Sequence, residues 1–212
     1  MKHSPAYGPG EFLRDTAVSR ETLDRLKIYA DALMVWNKKV NLIGRSTVDD
    51  LWRRHFLDSA QLYPLFSPNS ESLLDLGSGA GFPGLVLAIM GCPQVHMVES
   101  DRKKAAFLRE AARLTGTPAQ VHSVRIEALD PFPVDIVTAR ALAPLSDLLN
   151  WAEPFLGPGS TCLFLKGRNV EDELTDLRKM WETEIVRRPS CTDSESTVVC
   201  MRGVRRVQSN QT

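Results

Sequence analysis

The chain has 212 residues, of which 43% are hydrophobic and 25% are charged. This composition is typical of a folded protein with a buried core, and the length suits one ordinary domain rather than two large ones. Lys and Arg together number 26, as do Asp and Glu, so the formal net charge is zero. A zero total still permits a basic surface patch, so it does not exclude a nucleic-acid partner.

The N-terminal third of the sequence predicts helices. Residues 1–17 hold two prolines and two glycines without a clear period, and we expect a loose lead-in there. From Ser19 apolar residues recur at intervals of three and four, which predicts a helix. These residues, which we assign to the core rather than to a base-stacking surface, are Leu23, Leu26, Tyr29, Ala30, Leu33 and Trp36. A second helix is predicted over residues 48–63, ended by Pro64.

From residue 72 onward the sequence alternates short apolar runs with helical patterns. Strands are predicted at 72–76, 94–99, 119–123, 134–139, 161–166, 185–188 and 197–202, and helices at 83–90, 102–114, 145–155 and 170–180. This alternation is typical of an α/β, Rossmann-like fold, with a mostly parallel sheet and helices on both faces. We therefore divide the chain into an N-terminal helical extension, residues 1–66, and an α/β domain, residues 67–212, packed as one globular unit.

The four cysteines indicate a reducing environment. They are Cys92, Cys162, Cys191 and Cys200. None belongs to a CxxC pair and no histidine is spaced to complete a zinc site, so we expect buried free thiols and no metal. The first residues lack the apolar segment of a secretory signal, and no stretch approaches the length of about 18 apolar residues that a membrane span requires. We therefore expect a cytoplasmic protein without a membrane partner.

The most informative segment follows the first predicted strand. Residues 73–76 run directly into a turn that contains Gly77, Gly79 and Gly81, and a helix comes next. Glycines allow a sharp turn and the close approach of a ligand. The carboxyl edge of a parallel sheet is the usual ligand crevice of α/β proteins. The turn therefore predicts a binding site.

Glu99, at the end of the next strand, favours a nucleoside-containing cofactor, because a carboxylate there can accept both ribose hydroxyls. A dinucleotide fingerprint needs Gly or Ala where this sequence has Phe82. The pattern G-x-G-x-G, preceded by Asp75, instead resembles the first motif of class I S-adenosylmethionine-dependent methyltransferases. A nicotinamide cofactor is the weaker alternative. A simple strand–helix turn, with Glu99 as a solvated strand end, is another.

Further sequence blocks resemble one methyltransferase family. They are W-N-x-x-x-N-L at 36–42, R-H-x-x-D-S at 54–59, D-L-G-S-G-A-G-F-P-G at 75–84, K-A-A-F-L-R at 104–109, T-A-R-A at 138–141 and L-K-G at 165–167. Over residues 20–205 the sequence resembles the ribosomal RNA small subunit methyltransferase G family, also called glucose-inhibited division protein B. The resemblance implies a class I methyltransferase fold and S-adenosylmethionine as cofactor, without a metal. It also implies methylation of N7 of one guanine in the decoding-region loop of 16S rRNA, with S-adenosylhomocysteine as the second product.

The resemblance assigns roles to single residues. Gly77 and Phe82 would lie against the methionyl and adenosyl parts of the cofactor. Ile126 and Glu127 would flank the adenine, although the segment before them is one residue longer than the family pattern. Arg140 would close the site after the fourth strand.

The chemistry of guanine N7 narrows the catalytic requirement. N7 already carries a lone pair in the ring plane, so no general base is needed, and positioning and electrostatics can carry the catalysis. We expect Arg140 to orient the base, since arginine reads the N7 and O6 edge of guanine well. The alternative is that Arg140 pairs with Asp75 or Glu127 and only shapes the pocket.

His55 and Asn41 complete the set of candidate catalytic residues. Both belong to family blocks, and the resemblance implies that they face the site from the N-terminal helices. The alternative for His55 is a local pair with Asp58. The alternative for Asn41 is a cap or turn role at the end of a helix.

Basic residues are unevenly distributed, and two groups are expected beside the crevice. They are Lys38, Lys39, Arg45, Arg53 and Arg54 in the N-terminal part, and Lys166 and Arg168 after the fifth strand. An RNA backbone requires such a patch, and its binding weakens steeply with salt. The alternative is that these groups are ordinary solvated surfaces.

The sequence thus favours an enzyme that acts on 16S rRNA, within the 30S subunit or an assembly intermediate, and that works as a monomer. Two other functions stay open. One is a methyltransferase for a protein or small molecule, which salt-independent turnover without RNA would favour. The other is a non-catalytic nucleoside- or RNA-binding regulator, which cofactor binding without methyl transfer would favour.

Overall fold

A seven-stranded sheet forms the centre of the computed structural model, which describes residues 7–207. Its strands are β1 Ser72–Leu76, β2 Gln94–Val98, β3 Ala119–His122, β4 Val134–Arg140, β5 Leu156–Lys166, β6 Trp181–Pro189 and β7 Thr197–Arg206. Their order in the sheet is β3-β2-β1-β4-β5-β7-β6. The first five strands are parallel, and β7 lies antiparallel between β5 and β6. The predicted α/β class with a mostly parallel sheet is confirmed.

Seven α-helices are described. They are α1 Pro9–Thr16, α2 Arg20–Asn37, α3 Asp58–Ala60, α4 Gly84–Ile89, α5 Arg102–Leu114, α6 Leu145–Ala152 and α7 Val170–Leu177. Side chains cap two of the longer helices: Ser19 Oγ accepts from Thr22 N, and the Asp101 carboxylate accepts from the backbone N–H groups of Lys103 and Lys104. No helix in this part of the chain is long and apolar enough to cross a membrane.

Two sequence predictions in the N-terminal part are wrong. Residues 9–16, predicted as part of a loose lead-in, form α1, because Pro9 suits the first helical turn and the Glu11 side chain accepts from Gly8 N at 3.1 Å. Residues 1–6 lie outside the described part. The second predicted helix, 48–63, is shorter in the structure. A π-helical segment, Trp52–Leu57, continues into α3, which ends at Ala60.

Strand β1 shows how the sheet separates two hydrophobic clusters. Leu73 faces the cluster formed with α2, α4 and α5, whereas Leu74 and Leu76 face the cluster formed with α6 and α7. Consecutive residues of a strand point to opposite faces, so an apolar run builds both clusters at once. Tyr29 and Leu33 are fully buried in the first cluster, which confirms their prediction as core residues.

The N-terminal helices join the α/β part through polar contacts as well as apolar ones. The Tyr29 hydroxyl donates to the Ala80 carbonyl in the glycine turn. The Arg25 guanidinium donates to Thr115 O at 2.8 Å and to Thr117 Oγ1 at 2.9 Å. Helix α2 therefore fixes both the glycine turn and the end of α5.

All four cysteines are free, as predicted. Burial raises the pKa of Cys92 to about 11 and that of Cys162 to about 12, so both are protonated, unreactive core thiols at neutral pH. Cys191 is exposed, in contrast to the expected buried thiol. Within residues 7–207, no group of three or more His, Cys, Asp and Glu side chains could hold a metal ion.

Candidate cofactor and substrate cleft

A cleft of about 460 Å³ lies at the carboxyl ends of β1, β4 and β5. Its walls come from the glycine turn after β1, the end of β4, the N-terminal segment and the β6–β7 connection. The lining residues include Gly77, Gly79, Phe82, Arg140, Arg54, His55, Asp58, Lys166, Thr192 and Asp193. The volume is within the range of about 300–1,000 Å³ that is usual for small-molecule sites.

The glycine turn presents bare backbone to this cleft. Gly77 and Gly79 have φ angles of +63° and +57°, a region that side-chain-bearing residues rarely adopt. A Cβ at Gly79 would meet only Gly77 O, at 3.8 Å, so the space above Gly79 is open, whereas a Cβ at Gly77 would lie 2.6 Å from Leu142 Cδ1. Gly81 has a different role, because a Cβ there would lie 2.7 Å from the Tyr29 hydroxyl. The turn thus offers a cradle that fits a ligand placed directly on the backbone.

Asp75 anchors the turn from below. The residue is fully buried, with Oδ1 accepting from Thr138 Oγ1 at 2.8 Å and Oδ2 accepting from Gly84 N at 3.1 Å. Burial raises the pKa of its carboxyl to about 6, against the opposing effect of these hydrogen bonds. Asp75 therefore connects β1 to β4 and to the start of α4.

Glu99 holds the turn from the side. Its Oε2 accepts from Gly79 N at 2.9 Å and its Oε1 accepts from Asp101 N at 2.7 Å. The residue is only 8% exposed, so the alternative of a solvated strand end is wrong. Its carboxylate lies directly behind the backbone cradle, and ribose binding by Glu99 stays a prediction.

The structure does not bring the predicted adenine-binding residues into the same cavity. Ile126 and Glu127 belong to a 3₁₀ turn, Ile126–Ala128, and line a separate cavity of about 410 Å³ together with the end of α6. Their predicted role in cofactor binding therefore stays a prediction.

Arg140 and His55 form a contact in the wall of the cleft. Arg140 Nη2 donates to His55 Nδ1 at 2.8 Å, and Nη1 donates to the Arg54 carbonyl at 3.1 Å. The Arg140 guanidinium also lies 5.1 Å from the centre of the Phe82 ring and 3.5 Å from Asp58 Oδ2. The alternative that Arg140 pairs with Asp75 or Glu127 is wrong.

His55 is neutral, with a defined tautomer. Because arginine has no acceptor, Nδ1 must accept, and Nε2 carries the hydrogen that it donates to Thr47 Oγ1 at 2.8 Å. Burial, with smaller effects from the charges of Arg140 and Arg54, lowers the pKa of His55 to about 3. The alternative, a pair between His55 and Asp58, is therefore wrong, since both ring nitrogens are engaged elsewhere.

Asp58 connects Arg140 to the tip of the β6–β7 hairpin. Its Oδ1 accepts from Thr192 Oγ1 at 2.8 Å and from Gln61 Nε2 at 2.9 Å, whereas its Oδ2 faces Arg140. Sequence reasoning missed Thr192 and Asp193 as cleft residues. The available signal was the Ser-, Thr- and Asp-rich run at 190–196, which predicts a tight connection between the last two strands.

Asn41 is exposed and is not among the residues that line the cleft. Its neighbour in the same sequence block, Asn37, shapes the cleft wall instead. Asn37 Oδ1 accepts from Leu42 N at 2.9 Å and from Ile43 N at 3.0 Å, and both of these residues line the cleft. A catalytic role for Asn41 stays a prediction.

The predicted RNA-binding residues occupy different environments. Arg54 and Lys166 line the cleft, and Arg53, Arg54 and Arg168 line a polar pocket beside it. Lys166 is engaged already, because its side chain is only 9% exposed and pairs with Glu173 at 2.7 Å. Three others, Lys38, Lys39 and Arg45, are exposed outside both sets of lining residues.

Comparison with known proteins identifies the family. The family model described as rRNA small subunit methyltransferase G matches residues 22–205. The chain is 57% identical over 199 residues to the ribosomal RNA small subunit methyltransferase G of Paramagnetospirillum magneticum, and the aligned region covers 94% of this chain and 97% of that protein. The chain belongs to the rRNA small subunit methyltransferase G family. Another member, from Rhodospirillum rubrum, is 55% identical over 185 residues, or 87% of this chain and 92% of that protein.

Solved structures identify the fold as that of class I S-adenosylmethionine-dependent methyltransferases. A SAM-dependent O-methyltransferase from Thermotoga maritima superposes with a TM-score of 0.59 at 14% identity, over 85% of this chain and 73% of that chain. An O-methyltransferase from Bacillus cereus, in complex with SAH, gives 0.56 at 11% identity, over 82% and 90%. The predicted family and fold are both confirmed, and the nicotinamide alternative is wrong.

Proposed function

We propose that this member of the rRNA small subunit methyltransferase G family transfers the methyl group of S-adenosylmethionine to N7 of one guanine in the decoding-region loop of 16S rRNA. The observation that carries the choice of acceptor is the hydrogen bonding of His55. Both ring nitrogens are engaged, and its lowered pKa of about 3 makes the imidazole a weak base at neutral pH.

The carboxylate that faces Arg140 in the cleft is engaged too. Asp58, the carboxylate next to Arg140, accepts from Thr192 and Gln61 and faces the Arg140 guanidinium, whereas Asp193 lies at the exposed edge of the cleft beside Arg54. A hydroxyl or amine acceptor must lose a proton during methylation, which calls for a base within hydrogen-bond reach. A ring nitrogen with an in-plane lone pair has no such requirement. The cleft therefore suits an acceptor such as guanine N7.

The open backbone at Gly79 fits the cofactor, and Gly77 and Phe82 line the same cleft beside it. Bound there, S-adenosylmethionine supplies a methyl group activated by the sulfonium charge. Glu99 contributes by holding Gly79 N, which keeps the cradle in its positive-φ conformation.

Arg140 is the residue that we assign to the base. Its guanidinium is oriented by His55, Asp58 and the Phe82 ring, and is 19% exposed as a side chain. Guanine offers N7 and O6 on one edge, and arginine is a specific donor to that edge. A contact from Arg140 to O6 would leave N7 free to face the methyl group. Preorganisation of this kind is the main source of catalysis when no proton is transferred.

A methyl-transfer assay tests the proposal. Labelled S-adenosylmethionine is added to 30S subunits that lack the modification, and in parallel to free 16S rRNA, and the labelled nucleotide is then mapped. Label at one guanine N7 is the expected result, and the better of the two substrates identifies the form that the enzyme uses. Label on another atom, or no label with the cofactor still bound, would contradict the proposal.

Substitution of Arg140 tests its role in the same assay. We expect Arg140→Ala to lower kcat/KM by about 100-fold or more, because one preorganised electrostatic contact is lost from the transition state. Arg113→Ala, which removes an exposed arginine from α5, is the matched control and should retain activity. Normal turnover by Arg140→Ala would exclude Arg140 as the residue that orients the base.

A further inference from the structure

A polar pocket adjoins the cleft at the tip of the β6–β7 hairpin. Three arginines line it, Arg53 and Arg54 from the π-helical segment and Arg168 from the residues after β5. The hairpin tip, residues 190–195, forms the opposite side. The pocket shares Arg54, Thr192 and Asp193 with the cleft, so the two are continuous.

We propose that this arginine pocket binds a backbone phosphate of the RNA strand whose guanine enters the cleft, and that Asp193 and Glu195 hold the place of that phosphate until RNA arrives. This inference rests on the proposed function, which it deepens by adding a phosphate site next to the base site.

The first argument is the position of Arg54. Its backbone carbonyl accepts from Arg140 Nη1 at 3.1 Å, so the arginine assigned to the base and the arginine in the pocket are in direct contact. A nucleotide with its base at Arg140 would therefore have its sugar–phosphate backbone beside the pocket. At protein–nucleic acid interfaces, phosphate contacts usually fix the position of the strand and base contacts provide the specificity.

The second argument is that the pocket arginines are bound at present by weak, exposed partners. Arg54 pairs with Asp193, and Arg168 pairs with Glu195, while Arg53 Nε donates to the Thr192 carbonyl at 3.3 Å. Both ion pairs are exposed, since the Arg54 and Arg168 side chains are 46% and 75% accessible. Exposed pairs of this kind contribute little to stability, so exchanging a carboxylate for another anion costs little. Phosphate accepts paired guanidinium hydrogen bonds that are stronger than neutral ones.

Lys166 provides a contrast within the same cleft. Its ammonium pairs with Glu173 and also donates to Ala143 O at 2.7 Å, and its side chain is only 9% exposed. It therefore acts as a buried connection between β5 and α7. Among the basic residues that line the cleft or the pocket, the exposed ones, Arg53, Arg54 and Arg168, all belong to the arginine pocket.

The proposal predicts opposite effects for the two kinds of charge. Arg168→Gln removes a phosphate ligand, and we expect it to weaken rRNA binding about five- to ten-fold and to lower the slope of log affinity against log salt by about 1. Asp193→Asn and Glu195→Gln remove the competing carboxylates, and we expect each to tighten binding about two- to five-fold at low salt. A structural role for the hairpin tip would give weaker binding in all three variants.

The experiment measures, at several NaCl concentrations, binding of the full chain to unmodified 16S rRNA by filter retention, together with methyl transfer to the same RNA. Glu110→Gln and Arg113→Gln are matched controls, because they alter an exposed Arg–Glu pair on α5. Circular dichroism confirms that each variant is folded.

Tighter binding by the carboxylate variants, weaker binding by Arg168→Gln and unchanged controls would support the arginine pocket. If the wild type binds and methylates rRNA but the pocket variants match the controls, or if the carboxylate variants bind more weakly, the phosphate site is refuted while the proposed function stands. If the wild type neither binds nor methylates any form of 16S rRNA, the proposed function itself fails.

Discussion

The protonation of His55 is decided by the two side chains that it contacts. Arg140 can only donate to Nδ1, and Nε2 donates to Thr47 Oγ1, which in turn donates to Gly44 O at 2.8 Å. A proton on Nδ1 would break the contact with Arg140 and place two positive charges together. We therefore propose that His55 positions Arg140 and does not act as a base.

The depressed pKa of His55 predicts a pH-dependent stability. An unfolded histidine has a pKa near 6.5, whereas the folded value is about 3. The stabilising contribution is thus complete above about pH 6.5, and it is lost as the pH falls towards 3, because only the unfolded chain gains a proton in that window. The loss is on the order of 5 kcal/mol over the full range.

Urea unfolding of the wild type and of His55→Gln at several pH values measures this contribution. Buried Asp75, whose raised pKa of about 6 gives the opposite slope between about pH 4 and 6, is common to both proteins and cancels in the difference. We expect the wild-type advantage to shrink as the pH falls below 6.5. A difference in stability that does not vary with pH would show that His55 has the same pKa in the folded and unfolded states, which would contradict the prediction.

Gly84 illustrates a glycine needed for close packing rather than for its backbone angles. A Cβ there would lie 2.7 Å from Asp75 Oδ2 and 2.8 Å from Asp75 Cβ. Asp75 is buried and bonded to Thr138, so it cannot move aside freely. We expect Gly84→Ala to destabilise the protein by about 1–3 kcal/mol.

Gly10, in α1, is the matched control for that substitution. A Cβ at Gly10 has nothing within 4 Å, and alanine in a helix is favoured over glycine by about 0.5–1 kcal/mol. Chemical unfolding should therefore show opposite signs for Gly84→Ala and Gly10→Ala. Equal effects would mean that the contact with Asp75 is not the cause.

Among the secondary-structure elements, α1 depends on one side chain. Phe12 is fully buried, and its ring packs edge-on against Trp52 with 5.4 Å between the ring centres. The other α1 side chains are half-buried or exposed. A helix of eight residues is too short to be stable alone, so this tertiary contact decides whether α1 forms.

We therefore expect Phe12→Ala to lower the free energy of unfolding by about 3–5 kcal/mol, as for other buried aromatic residues. Arg14→Ala, on the exposed side of the same helix, should change it by less than about 0.5 kcal/mol. Denaturant titrations of both variants make the comparison. A small effect of Phe12→Ala would show that α1 is not tightly docked on the π-helical segment.

The elements differ in how far they could be predicted. The strands β1, β2 and β4 were predicted nearly to the residue, because buried parallel strands are continuous apolar runs. Helix α1 was missed, since its stability comes from Phe12 meeting Trp52, a contact that no local pattern reveals. Strand β6 extends from Trp181 to Pro189, beyond the predicted 185–188, because pairing with β7 overrides its charged residues.

The cleft, too, could be predicted only where its chemistry depends on neighbouring residues in the sequence. The glycine turn could be predicted because its chemistry is local. The neighbours of Arg140 could not, because His55 and Asp58 approach it from 85 and 82 residues away in the sequence. Likewise, the register that pairs Lys166 with Thr197 brings the hairpin tip to the carboxyl edge of the sheet. That placement is a property of topology, which the sequence pattern alone did not define.

At the scale of the whole molecule, the two hydrophobic clusters share one sheet. The first cluster combines residues of the N-terminal extension with α4 and α5, and the second lies on the other face with α6 and α7. Alternate residues of β1 and β2 contribute to both clusters. Loss of the sheet would therefore expose both at once, which favours unfolding as one cooperative unit.

The tryptophans allow a test of this cooperativity. Trp36 and Trp52 pack against the first cluster, whereas Trp151 and Trp181 belong to the second. The double variant Trp36→Phe and Trp52→Phe keeps only the tryptophans of the second cluster. The double variant Trp151→Phe and Trp181→Phe keeps only those of the first. We expect each variant to unfold in urea in a single transition, with the fluorescence midpoint equal to its midpoint by circular dichroism.

If fluorescence from the first cluster changes at lower urea than circular dichroism, the N-terminal extension, residues 1–66, is a separate folding unit. The cleft would then lose Arg54, His55 and Asp58 before the α/β domain unfolds, and cofactor binding could outlast rRNA binding as urea increases.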